Sequence, residues 1–127
     1  MTLANNALFA ASVVLFLTGL VHSVAGELLI FRRLPKDAGF PPLVGHPQLG
    51  RWTVHGTWHL ATALALIPAW LLLQLSHDTS RSDDAQRVVT TSAWALLAGA
   101  ALFLAFTRGR HPGWAALLAA AVLCFVA

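Results

Sequence analysis

Two histidines four residues apart, His55 and His59, stand in the stretch RWTVHGTWHLAT, which otherwise has the character of an apolar helix. This spacing places both imidazoles on one face of a helix, as two ligands of a single metal ion require. A third histidine, His22, and a carboxylate, Glu27, stand near the end of the preceding apolar segment. Imidazole and carboxylate together are common ligands of transition metals. These four residues are therefore the candidate site.

The composition indicates a membrane protein. Of the 127 residues, 57% are hydrophobic and only 10% are charged, whereas a soluble domain has about a quarter charged residues. The basic residues stand at the ends of apolar segments and form no dense patch, so we expect the lipid bilayer as partner and no nucleic acid. A chain of this length is expected to form one domain, 1–127.

Four apolar segments are predicted to cross the membrane as helices, because a crossing needs about 20 mostly apolar residues. The predicted fold is therefore an all-α membrane protein, a bundle of four transmembrane helices. The fourth segment is short and would reach roughly 24 Å. Asp83, followed by Gln86 three positions later, is expected to cap the third helix. The predicted spans are 3–31, 52–75, 88–107 and 112–127.

The charges of the connections predict the orientation. Connection 76–87 carries Asp78, Asp83 and Asp84 against Arg81 and Arg87. By the positive-inside rule the two basic connections face the cytoplasm and both termini lie outside (N-out/C-out). The expected location is the bacterial inner membrane, crossed several times. The two basic connections, 31–51 and 108–111, contain Arg32, Arg33, Lys36, Arg51, Arg108 and Arg110, with Asp37 as their acid.

The four candidate residues fall at matched depths if the first two helices are antiparallel. Glu27 and His55 would lie roughly 6 Å from the cytoplasmic end, and His22 and His59 roughly 12 Å. Ionisable residues inside a membrane are costly and face a bundle interior, a cavity or a partner. The alternative to a functional site is a set of hydrogen bonds that locks two helices together.

The remaining histidines and the tryptophans are expected to have ordinary roles. Trp58 and Trp94 lie deeper than the other tryptophans, and packing is expected there, although this depth also suits a pocket wall. The expected interfacial residues are His46, His77 and His111, and the expected aromatic belt is Trp52, Trp70 and Trp114.

The first functional hypothesis is an intramembrane metal site near the cytoplasmic leaflet. In it His22, His55 and His59 hold zinc, iron or copper, and Glu27 is either a further ligand or the partner that orients a histidine. An open coordination position would permit redox or hydrolytic chemistry on a lipid-soluble substrate.

Two other hypotheses remain open. In a haem b electron-transfer protein, His22 and His59 would ligate haem from both sides, with Arg32, Arg33 or Arg51 pairing the propionates. In a proton-relay transporter or accessory subunit, Glu27 and the histidines would carry protons. Four spans are few for a transporter, so it would need a homo-oligomer or a larger membrane complex. Small residues at four-residue intervals, such as those at 61, 65 and 69, also suit close helix packing.

Three short elements resemble a group of small bacterial four-span membrane proteins. The chain has HSVAGE in the first segment, then RR, then WHLAT at the start of the second. The group has His-Ser-x-x-Gly-Glu followed by Trp-His-Leu-x-Thr, and the similarity covers about the first half of the chain. The resemblance implies a four-span fold and the same choice of residues, and it implies no particular chemistry.

Overall fold

The computed structural model describes residues 3–35, 46–78 and 82–127, and these form an all-helical bundle. The first helix, α1, spans Leu3–Ala25 and runs directly into a π-helical segment, Gly26–Phe31. The others are α2 (Pro47–His77), α3 (Asp83–Thr107) and α4 (Gly113–Phe125).

Three of these helices are long and apolar enough to cross a membrane. They cover Leu3–Phe31, Gln48–His77 and Asp83–Thr107. The fourth, α4, has 13 residues and is about 20 Å long, short of the roughly 30 Å of a hydrocarbon core. The predicted helical bundle is thus confirmed with three candidate spans. The fourth span and the N-out/C-out orientation stay predictions.

Helices α2 and α3 begin earlier than the predicted spans, at Pro47 and Asp83 instead of at residues 52 and 88. Pro47 opens α2 ahead of the expected Trp52, and proline is favourable in a first turn because its missing N–H needs no partner there. The cap predicted at Asp83 is wrong. The cap is Ser82, whose hydroxyl accepts a hydrogen bond from the Ala85 N–H at 3.2 Å. This leaves the Asp83 carboxylate inside the first turn, where the helix dipole stabilises it.

The helices pack in the order α2, α1, α4, α3. Helix α1 packs against both α2 and α4, α3 packs mainly against α4, and α2 contacts α3 only slightly. At one end, the Asn5 side-chain amide of α1 donates to the Asp78 carbonyl at 3.4 Å, which shows that the start of α1 lies beside the end of α2.

The buried core lies at that same end, which we call the packed end. Antiparallel helices bring the first halves of α1 and α3 beside the second halves of α2 and α4. Small residues in α3 and α4 allow close approach of the backbones. The core consists of Leu8, Ala11, Leu15, Ala69, Leu72, Val89, Ala93, Leu96, Ala120, Ala121 and Cys124.

Candidate metal centre

At the other end, which we call the open end, Glu27 meets two histidines across the α1–α2 seam. Glu27 Oε2 lies 2.8 Å from His55 Nε2 and 3.7 Å from His59 Nε2. One ligand atom of each residue lies within 4.8 Å of the other two. The approach of Glu27 to His55 agrees with their predicted matched depths. We call these three residues the triad.

The separations within the triad suit one metal ion. Bonds of about 2.0–2.2 Å in a tetrahedral site put neighbouring ligand atoms about 3.3–3.6 Å apart. The two distances from Glu27 Oε2, 2.8 and 3.7 Å, lie on either side of that range. Small side-chain rotations would therefore bring all three atoms onto one ion and leave at least one coordination position open.

A π-helical turn carries Glu27 into the triad. The Arg32 N–H donates to the Glu27 carbonyl five residues earlier, at 3.0 Å, and such turns occur frequently at functional sites. Four residues after Glu27, the buried Phe31 ring stacks on the His55 imidazole with centroids 4.3 Å apart. The π turn thus supplies both a carboxylate and an apolar wall. Nothing in the sequence pattern indicates it.

Ser23 fixes the orientation of His59. Its hydroxyl oxygen lies 2.5 Å from His59 Nδ1. When the Nδ1–H donates to this oxygen, Nε2 keeps its lone pair and faces Glu27, which is the tautomer that a metal ligand needs. Ser23 was not among the predicted site residues. Its position four residues before Glu27, on the same helix face, is the signal that could have found it.

The three predicted arginines lie at the rim of the open end. Arg32 Nε is 3.5 Å from Glu27 Oε1, so it contacts the carboxylate oxygen that does not face the histidines. Arg51 donates to the Phe31 carbonyl at 3.4 Å and links the start of α2 to the π turn. Arg33 is exposed in the turn after Phe31.

His22 lies outside the triad. Its ring stacks on the Trp58 indole with centroids 4.1 Å apart and planes 8° apart. The Trp58 indole N–H donates to the His22 carbonyl at 3.0 Å. A side chain on Gly26 would overlap the indole nitrogen, so the indole can lie this close to the π-helical backbone only at a glycine. These contacts hold the indole of Trp58, which we expected mainly to pack, in one orientation.

The structure therefore brings together three of the four predicted ligands. His22 is not one of the residues whose ligand atoms converge, and its role as a ligand stays a prediction. The same holds for haem between His22 and His59. The His22 ring stacks on Trp58, and His59 shares a hydrogen bond with Ser23. Because both imidazoles already have these partners, the arrangement does not favour a haem between His22 and His59.

Comparison with family models, curated proteins and solved structures finds no match for this chain. The resemblance based on HSVAGE and WHLAT consequently stays a prediction, as does a bacterial origin.

Proposed function

We propose that this protein is an integral membrane metalloprotein that holds one transition-metal ion on Glu27, His55 and His59. The observation that carries the proposal is the convergence of three ligand atoms, from two helices, within 4.8 Å. Exposed apolar side chains along the helices suit a lipid-facing surface. The charge asymmetry of the connections favours placing the triad near the cytoplasmic leaflet, with both termini outside.

Zinc or non-haem iron is the metal that best suits this donor set. Two imidazoles and one carboxylate with open positions are typical of non-haem iron(II) sites and of catalytic zinc sites. Copper(I) prefers sulfur ligands, and Cys124 is buried at the packed end, away from the triad.

The ion would polarise a substrate oxygen or activate a bound water, which permits hydrolytic or redox chemistry on a lipid-soluble substrate. Glu27 and His55 now share a hydrogen bond at 2.8 Å. Binding of the ion would displace the shared proton, so metal affinity should fall as the pH is lowered.

A metal titration tests the proposal. Protein purified in detergent and stripped of metal is titrated with zinc(II), and anaerobically with iron(II). We expect one equivalent to bind the wild type and none to bind His55→Ala or His59→Ala, while Glu27→Gln should weaken binding at least about tenfold. His77→Ala is the matched control, since His77 ends the same helix at the packed end. Unchanged binding by the two histidine variants would contradict the proposal.

A second candidate role is a polar lock between α1 and α2. The hydrogen bonds between His55 and Glu27 and between Ser23 and His59 join the two helices directly, as interhelical hydrogen bonds in membranes often do. This role requires no metal. A wild type that binds no zinc or iron, but loses stability on His55→Ala, would support the lock and reject the metal site.

A further inference from the structure

A cavity of about 690 Å³ lies at the open end, between α1, α2 and the start of α4. Its size is typical of pockets for small molecules, which range from about 300 to 1,000 Å³. Glu27, His55 and His59 are not among its lining residues. The cavity is therefore a second feature of the open end, distinct from the triad.

The rim of the cavity is apolar and exposed. Leu17, Val21 and Leu29 line it and have more than half of their surface exposed. In a membrane these side chains face acyl chains, so a molecule would enter from the lipid and would itself have to be lipid-soluble.

One wall of the cavity is aromatic. Both members of the His22–Trp58 stack line it. The indole is held by its hydrogen bond to the His22 carbonyl and by its seat on Gly26. A fixed aromatic wall favours a planar conjugated ring, because aromatic rings prefer offset-stacked or edge-to-face contacts.

Thr62 adds a hydroxyl that lacks a partner. Thr62 lines the cavity and is 9% exposed, and within the described ranges its hydroxyl oxygen has no hydrogen bond. A buried hydroxyl without a partner is costly, most of all where no water is available. The other helical threonines with a recorded hydroxyl bond, Thr18, Thr57, Thr90 and Thr107, each donate to the carbonyl four residues earlier.

His111 supplies a further donor at the cavity. Its Nδ1 accepts from the Gly113 N–H at 3.0 Å, so in the neutral ring the proton is on Nε2. Like Thr62, His111 lines the cavity. His111 can thus donate to an oxygen on the bound molecule, whereas the Thr62 hydroxyl has almost no accessible surface and can donate only after it rotates toward the cavity.

We propose that this cavity binds a lipid-soluble quinone, a planar conjugated ring with hydrogen-bond-accepting oxygens and an apolar tail. The ring packs against the His22–Trp58 wall and the tail leaves between Leu17 and Val21. A carbonyl oxygen accepts from His111, or from Thr62 once its hydroxyl has rotated toward the cavity. This site goes beyond the proposed function, because the residues of the triad do not line the cavity. Binding itself does not require the metal.

Equilibrium binding of a radiolabelled decyl-benzoquinone to the full chain in lipid nanodiscs tests the proposal, with empty nanodiscs subtracted. We expect saturable 1:1 binding that an excess of unlabelled quinone displaces and an excess of decylbenzene, which lacks the oxygens, does not. Thr62→Val should weaken binding about tenfold. Thr57→Val, an exposed position on the same helix, should leave binding unchanged.

A second pair of variants covers the case in which Thr62→Val does not fold. Ala65 lines the cavity and Ala63 does not, so Ala65→Phe should abolish binding while Ala63→Phe retains it. His55→Ala separates the two proposals, because it should lose metal and still bind quinone. Non-saturable uptake, equal displacement by decylbenzene, or unchanged binding in Ala65→Phe would overturn the quinone site.

Discussion

The packed end and the open end are built from the same α1–α2 seam, and they differ in what the seam contains. Towards the packed end the seam holds Leu8, Leu15 and Leu72, all nearly inaccessible. Towards the open end it holds Glu27 and His59, whose side chains keep 32% and 41% of their surface exposed. Apolar packing thus fixes the two helices at one end, which allows polar groups to meet at the other without having to supply the stability themselves.

The packed end also determines the geometry of the triad. Close packing at one end sets the register of the seam, and the hydrogen bond from Asn5 to Asp78 marks it. That register determines which turn of α2 faces Glu27 and Ser23. A shift of one turn at the packed end would remove His55 from the carboxylate, so the geometry of the triad depends on residues far from it.

The largest effect is expected when a buried leucine at the packed end is replaced by alanine. Leu72 is fully buried and its neighbour Leu71 is 43% exposed. Leu72→Ala should cost about 3 kcal/mol, mainly lost packing, because leucine is as soluble in lipid as in the core. Leu71→Ala should cost less than about 0.5 kcal/mol. Unfolding of each variant in mixed detergent micelles measures the difference, and equal costs would contradict the division into two ends.

The next effect concerns the close contact between the Trp58 indole and Gly26. A side chain on Gly26 would overlap the Trp58 indole, whereas one on Gly56 would meet nothing within 4 Å. Gly26→Ala should therefore destabilise the fold by about 2 kcal/mol and shift the near-ultraviolet dichroism of the indole. Gly56→Ala should be neutral or slightly stabilising, since alanine favours a helix. Equal stability and equal indole dichroism of the two alanine variants would contradict the close contact between Gly26 and Trp58.

A smaller effect should follow from removing the partner of His59. Ser23→Ala releases the imidazole from its tautomer and orientation, so zinc affinity should fall about tenfold with one equivalent still bound. Thr57→Ala is the control, because the Thr57 hydroxyl bonds within its own helix. Zinc competition with a coloured chelator measures both. An unchanged affinity in Ser23→Ala would show that Ser23 does not position His59.

The smallest effect is expected at the rim. Arg32 contacts Glu27 at 3.5 Å and its own side chain is largely exposed, so Arg32→Gln should change zinc affinity by less than about fivefold, and less still in high salt. Arg33→Gln is the control, because its zinc affinity shows the effect of removing one positive charge near the site. A change of tenfold or more in Arg32→Gln alone would mean that the rim forms part of the metal centre.

The sequence predicts the helical bundle and much of the site because both depend on simple periodicities. Long apolar segments predict spans, and the four-residue spacing of His55 and His59 predicts a shared face. Antiparallel connection by one loop predicts the meeting with Glu27. These inferences need only the helical rise and the order of the segments.

Other features depend on local geometry that periodicity does not carry. The π turn at Gly26–Phe31 changes the angular position of the residues that follow its start, so regular α-helical angles do not apply to Phe31, which stacks on His55. The fit of Trp58 on Gly26 draws the indole onto His22, a contact between side chains that depth alone cannot reveal. Ser82, one residue before the expected cap, shows the usual shift of a helix start.

The most direct test of the metal centre is to locate the ion. Crystals of the protein grown with zinc would be measured at the zinc absorption edge, and an anomalous difference map calculated. We expect one strong peak within about 2.0–2.2 Å of Glu27 Oε2, His55 Nε2 and His59 Nε2. A peak at His77 or His111 instead, or no peak at the triad in zinc-saturated protein, would contradict the account.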